Sequence, residues 1–88
     1  MVPEFQPDCA GYLFQQVADH LAARIRTGDL APNQPLPAEI RLADEYGVSL
    51  GTVRHATRLL RSKGLVVIVP SKGTYVARIH ADNEGGEQ

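Results

Sequence analysis

The stretch "GVSLGTVRHATRLLRSKG", Gly47 to Gly64, decides the fold. A glycine stands at each end, and between them Val53, Ala56 and Leu60 recur at the three- and four-residue spacing of one helix face, with Leu59 beside them. Ser49 suits the N-cap position, where its hydroxyl accepts from a free backbone N–H at Gly51 or Thr52. The helix is predicted to run from there to Lys63 and to stop at Gly64. On a wheel of about 100° per residue, Gly51, Arg54, His55, Arg58 and Ser62 lie opposite the apolar stripe, with Arg61 at its border. That outward face is cationic. Arg54 and Arg58 are four residues apart and repel each other, and the helix itself supplies no carboxylate. A solvated face normally mixes signs, so this one reads as a surface awaiting an anion. Gly51 adds to that reading, because alanine there would favour the helix by roughly 0.8 to 1 kcal/mol. A residue without a side chain lets the helix end approach another surface closely.

Upstream, Leu13, Val17, Leu21 and Ile25 recur every four residues, which predicts an amphipathic helix from about Tyr12 to Thr27, closed by Gly28. Residues 29–37, "DLAPNQPLP", hold three prolines and read as a loop, with a short extended piece, a possible third strand, near Gln34 to Leu36. A second short helix is expected from about Pro37, with Leu42, Ala43 and Tyr46 inward and Gly47 as its stop. Ala43, Gly47 and Val53 are spaced by four and six. Such spacing suits a helix-turn-helix: a small residue where two helices cross, a glycine in the sharp turn, and an apolar residue packed back into the angle.

Downstream, "LVVIV" is rich in β-branched residues, "PSKG" is turn chemistry and "TYVARI" is a second strand. Together they predict a hairpin with Lys72 at its tip. Three helices followed by a two-stranded hairpin make an α+β domain over residues 12–79. Residues 1–11 read as a flexible lead-in, and residues 80–88 as a disordered acidic tail.

Eighty-eight residues carry one modest core and no second domain with a catalytic cleft. The net charge of −1 hides a segregation. Met1 to Val48 has three bases and seven acids, whereas Ser49 to Ile79 has six bases and none. Catalysis is not expected: His20, His55 and His80 are scattered, Cys9 is a single thiol without an evident base, and neither CxxC nor HExxH spacing occurs. No cofactor or metal is therefore expected. No run of about 20 apolar residues and no secretion signal is seen, so membrane association is not expected and the cytoplasm, at the nucleoid, is the expected location.

Four phrases, "IRTGDLAP", "LPAEIRLADEYGVSLGTVRHA", "LLRSKGLV" and "KGTYV", resemble the GntR family of bacterial transcription regulators over about Tyr12 to Val76. The resemblance implies a winged helix-turn-helix. It implies that the third helix enters the major groove of double-stranded operator DNA, that the wing reaches the adjacent minor groove, and that two copies form a homodimer on a palindromic site. It places Ser49, Thr52, Arg54 and Lys72, Gly73 and Thr74 at contact positions. Family members often carry arginine where Ile40 and Leu50 stand here. Leu50 offers apolar contact to a thymine methyl instead, beside Gly51, and Arg54 offers a fork to guanine or to phosphate. Arg58 and Arg61 suit phosphates, and His55 either joins them when protonated or plays a structural or solvent-facing part. The chain ends twelve residues past Val76, so no effector ligand is expected within it; it is either a naturally short regulator or the DNA-binding portion of a longer one. The rival reading is a winged-helix module whose basic face meets an acidic protein, and the exposed apolar Ile40 and Leu50 favour it.

Overall fold

The computed structural model describes residues 4–5 and 11–77 of the chain. Three helices come first: α1 over Leu13–Arg26, α2 over Glu39–Tyr46 and α3 over Leu50–Ser62. Two antiparallel strands follow, β1 over Val66–Val69 and β2 over Gly73–Val76, paired from Val66 with Val76 to Val69 with Gly73. The architecture is the expected winged helix-turn-helix. Cys9 and the acidic tail at 80–88 lie outside the described residues. Phe5, in the segment read as a lead-in, packs edge-on against the rings of His20 and Tyr46, with centroids 5.5 and 4.9 Å away.

The apolar stripes meet in one core. Val17, Ala18, Leu21, Ala22 and Ile25 of α1 face Leu42 and Tyr46 of α2 and Val53, Ala56 and Leu60 of α3. Leu36, Leu65, Val66 and Val76 close the core beneath the hairpin. Thr57 is buried with them because its hydroxyl donates to the Val53 carbonyl at 2.9 Å, which removes the cost of an unpaired polar group.

The helix-turn-helix spacing is realised. Ala43 packs partly buried against the core, Val53 is fully buried, and Gly47 takes a left-handed backbone with φ of 67°. A side chain would be strained at that φ, so glycine is what allows α2 to stop and the chain to turn into α3 within three residues. The Val48 N–H donates back to the Ala43 carbonyl at 3.0 Å and seals the turn. Ser49 caps α3 as expected: its Oγ accepts from the Thr52 N–H at 3.1 Å.

The second strand, expected over 74–79, ends at Val76 with Ala77 outside it, and residues 78–79 lie outside the described residues; two further boundaries differ from the sequence reading. α2 starts at Glu39 rather than near Pro37, because Ala38 keeps an extended backbone (φ −56°, ψ 146°) and serves as its N-cap without a capping side chain. The extended piece at 34–36 forms one isolated bridge, Pro35 to Tyr75, rather than a strand. Pro35 and Tyr75 form a non-hydrogen-bonded antiparallel pair, bonded through their neighbours: Leu36 N–H to the Thr74 carbonyl and Val76 N–H to the Gln34 carbonyl, each at 2.9 Å, while the next N–H, of Ala77, goes to the Leu65 carbonyl instead. The bridge still ties the hairpin to the helical body. At the hairpin tip, Ser71 as well as Gly73 takes a positive φ, 67° and 117°.

Candidate nucleic-acid interface

Burying Val53, Ala56 and Leu60 fixes the rotation of α3, so its opposite face must point outward. Gly51, Arg54, His55, Arg58 and Arg61 are exposed there, while Leu50 and Thr52 are half-buried at its N-terminal end. Gly51 has no heavy atom closer than the Ser49 Oγ, 3.9 Å from where a Cβ would stand. Its small size answers no crowding within the fold. Ser49 is exposed, but its hydroxyl is engaged with the Thr52 N–H and lies 2.9 Å from the Thr52 Oγ1.

The tertiary structure gathers part of this set and separates the rest. Arg54, Arg58 and Arg61 line one side of a groove of about 250 Å³ with Glu39 of α2; Val66, Ile68 and Thr74 of the hairpin form the other side. Lys72 and Gly73 are exposed at the hairpin tip beyond it. His55 turns away from this ridge toward α1, where its ring stacks on Phe14 with centroids 3.6 Å apart and planes 5° from parallel. No sequence pattern marks that stack.

The ridge is also not free of acid. Arg54 Nε donates to Glu39 Oε1 at 3.2 Å, so the expectation of an uncompensated face fails at that position. Counting charges along the chain missed the pair because Glu39 precedes Arg54 by fifteen residues and reaches it only through the turn at Gly47. Both side chains are about half exposed, and a pair of that kind stabilises a fold by only about 0 to 1 kcal/mol. Among the described residues neither Arg58 nor Arg61 has a carboxylate partner. The net character of the face remains cationic.

A second charged cluster holds the scaffold from behind. Arg24 of α1 donates to Asp29 at 2.9 Å, to Glu45 at 3.1 Å and to the Tyr46 hydroxyl at 3.3 Å, and Tyr46 lies 2.7 Å from His20 Nδ1. Burial pushes the Tyr46 phenol above its ordinary value, and the Arg24 hydrogen bond offsets only part of that shift. Burial pulls the Arg24 guanidinium the other way, but its hydrogen bonds to Tyr46 and Asp29 prevail and hold it above its usual range. The cluster pins α1 to α2 and thereby sets the platform from which α3 projects. Among the described residues no three His, Cys, Asp or Glu side chains gather as a metal site.

Known proteins share this fold. The family model "Bacterial regulatory proteins, gntR family" matches residues 13–76. The chain is 35% identical over 66 residues to the HTH-type transcriptional repressor NagR of Bacillus subtilis, covering 75% of this chain and 27% of that protein. It is 41% identical over 64 residues to the mannosyl-D-glycerate transport/metabolism system repressor MngR of Escherichia coli, covering 73% and 27%. The chain thus spans about a quarter of the length of these curated relatives. Among solved structures, the DNA-binding domain of AraR in complex with an operator is similar with a TM-score of 0.69 and 35% identity, covering 82% of this chain and 89% of that one. YtrA from Sulfolobus acidocaldarius, a GntR-family transcription factor, superposes with a TM-score of 0.75 at 28% identity, covering 89% and 84%. With its fold, its turn at Gly47 and its family match over residues 13–76 in agreement, this chain belongs to the gntR family of bacterial regulatory proteins.

Proposed function

We propose that this chain is the DNA-reading unit of a transcription regulator, with α3 in the major groove of an operator and the hairpin tip, Lys72 to Thr74, at the neighbouring minor groove. One observation carries the proposal: Arg54, Arg58 and Arg61 converge on a single groove whose far wall is the hairpin. A cationic ridge backed by a β-ribbon is complementary to a phosphate-lined groove, and its helix is thin enough at Gly51 to enter one. In this arrangement Arg54 reads a base edge together with Thr52 and the apolar Leu50, Arg58 and Arg61 hold phosphates, and Lys72 adds a minor-groove or backbone contact. Two copies on a palindrome join two half-sites and raise the effective concentration of each. Repression is the outcome suggested by the names of NagR and MngR.

The deciding experiment is selection of bound duplexes from a random pool by the purified chain, followed by inspection for a two-fold symmetric sequence. Recovery of such a sequence supports the proposal, and a pool that stays random after several rounds counts against it. The alternative, docking of an acidic protein, is favoured by Ile40, which is 71% exposed beside the ridge. It predicts retention on duplexes that falls with salt but shows no sequence preference.

A further inference from the structure

An acid at the foot of a cationic ridge needs a reason. Glu39 is the first residue of α2, and its carboxylate meets Arg54 across the helix-turn-helix. With both side chains half exposed, the pair contributes little to folding. An acid in the first turn does favour the α2 dipole, but that benefit does not require contact with α3. For general attraction to a polyanion the carboxylate is a disadvantage, since it cancels one positive charge on the surface that meets phosphate.

The geometry of the contact suggests what is gained. A guanidinium presents five N–H donors in a planar fork. Glu39 engages Nε, at the side of the fork, and no ion pair among the described residues occupies the two terminal nitrogens. Those are the donors that form a bidentate pair with guanine O6 and N7. An arginine without such an anchor samples many rotamers and pairs with whichever phosphate it meets. An anchored one loses less freedom on binding, and its carboxylate neighbour repels a phosphate placed in the same position. The geometry points to Glu39 as a specificity-determining residue, which anchors Arg54 by its Nε and directs the fork to a base edge while lowering affinity for DNA in general. This inference rests on the DNA-reading function proposed above.

The test uses the full chain, a duplex recovered by selection, and a scrambled duplex of equal length. The readout is the ratio of the two affinities and its salt dependence. Glu39→Ala is expected to lower the ratio about tenfold, a loss of one well-placed bidentate contact, while binding to the scrambled duplex strengthens and its salt slope steepens by about 0.9. Glu39→Gln keeps an acceptor for Nε but loses the charge. It is expected to strengthen scrambled-duplex binding equally while retaining most of the ratio. In an Arg54→Ala background, Glu39→Ala should leave the ratio unchanged, because there is no fork left to direct.

An unchanged ratio in Glu39→Ala, or losses that multiply in the double variant, overturns the inference. If Glu39→Ala does not fold, Glu39→Gln decides alone: weaker or unaltered binding to the scrambled duplex overturns it. A wild-type chain that discriminates while Glu39→Ala discriminates equally well defeats only the role of Glu39. A wild-type chain with no duplex preference defeats the DNA-reading function and this inference together.

Discussion

Phe14 lies flat against His55, the two rings 3.6 Å apart and 5° from parallel, and this stack joins the start of α1 to the outward side of α3. Aromatic pairs of this kind contribute about 0.5 to 1.5 kcal/mol beyond the area they bury. His55→Ala is therefore expected to lower unfolding stability by about 1 kcal/mol. Its salt slope for duplex binding should match that of the wild type, because the stack on Phe14 draws the ring toward α1 and away from the arginine ridge. Denaturant unfolding and a salt titration of the same variant check both halves.

Arg54 and Lys72 stand in different parts of the candidate interface, one in the groove beside Glu39 and one at the hairpin tip. Arg54→Ala should reduce preference for a selected duplex over a scrambled one by about fivefold to about 150-fold, the cost of about 1 to 3 kcal/mol for a bidentate base contact. Lys72→Ala should weaken binding to both duplexes alike and reduce the magnitude of the salt slope by about 1. Competition binding at two salt concentrations separates the two patterns.

The Ser49 cap is the device that starts α3, its Oγ accepting from the Thr52 N–H at 3.1 Å. Removing it leaves that donor to water alone. Ser49→Ala is expected to cost about 1 kcal/mol in urea or guanidinium unfolding, and Ser49→Asp should recover most of the loss.

Leu60 is fully buried where α3 meets the remaining core. Truncation to alanine should cost about 2 to 5 kcal/mol, a large part of the roughly 5 to 15 kcal/mol that stabilises a natural domain. Leu59→Ala, one residue earlier and only partly buried, should cost distinctly less. Thermal unfolding of the two variants side by side tests the assigned rotation of α3.

The Tyr46 phenol is held above its ordinary value of about 10 by burial. Its folded form binds the proton more tightly than the unfolded chain does, so the associated stability is fully present below about pH 10 and is lost as pH rises through the higher folded value. Unfolding free energy measured across this alkaline range should fall for the wild type. Tyr46→Phe, which also breaks the contacts to Arg24 and His20, should start lower by about 1 to 2 kcal/mol and fall less over the same range.

What the sequence determined by itself is whatever short-range physics controls. Val53, Ala56 and Leu60 mark the inward face of α3 because a helix repeats every few residues, and Ser49, Gly47 and Gly64 mark its limits because capping and left-handed turns are properties of single residues. The hairpin was legible for the same reason, from β-branched runs about a turn. Only the tertiary structure decided that Arg54 is anchored by Glu39, that His55 rests on Phe14, that Arg24 joins Asp29, Glu45 and Tyr46, and that the segment around Pro35 meets the hairpin in one bridge. Apart from Arg24 with Asp29, which are five residues apart, each of these contacts joins elements that are distant in the chain. Their partners are selected by the packing angle of one helix on another, which no local periodicity encodes.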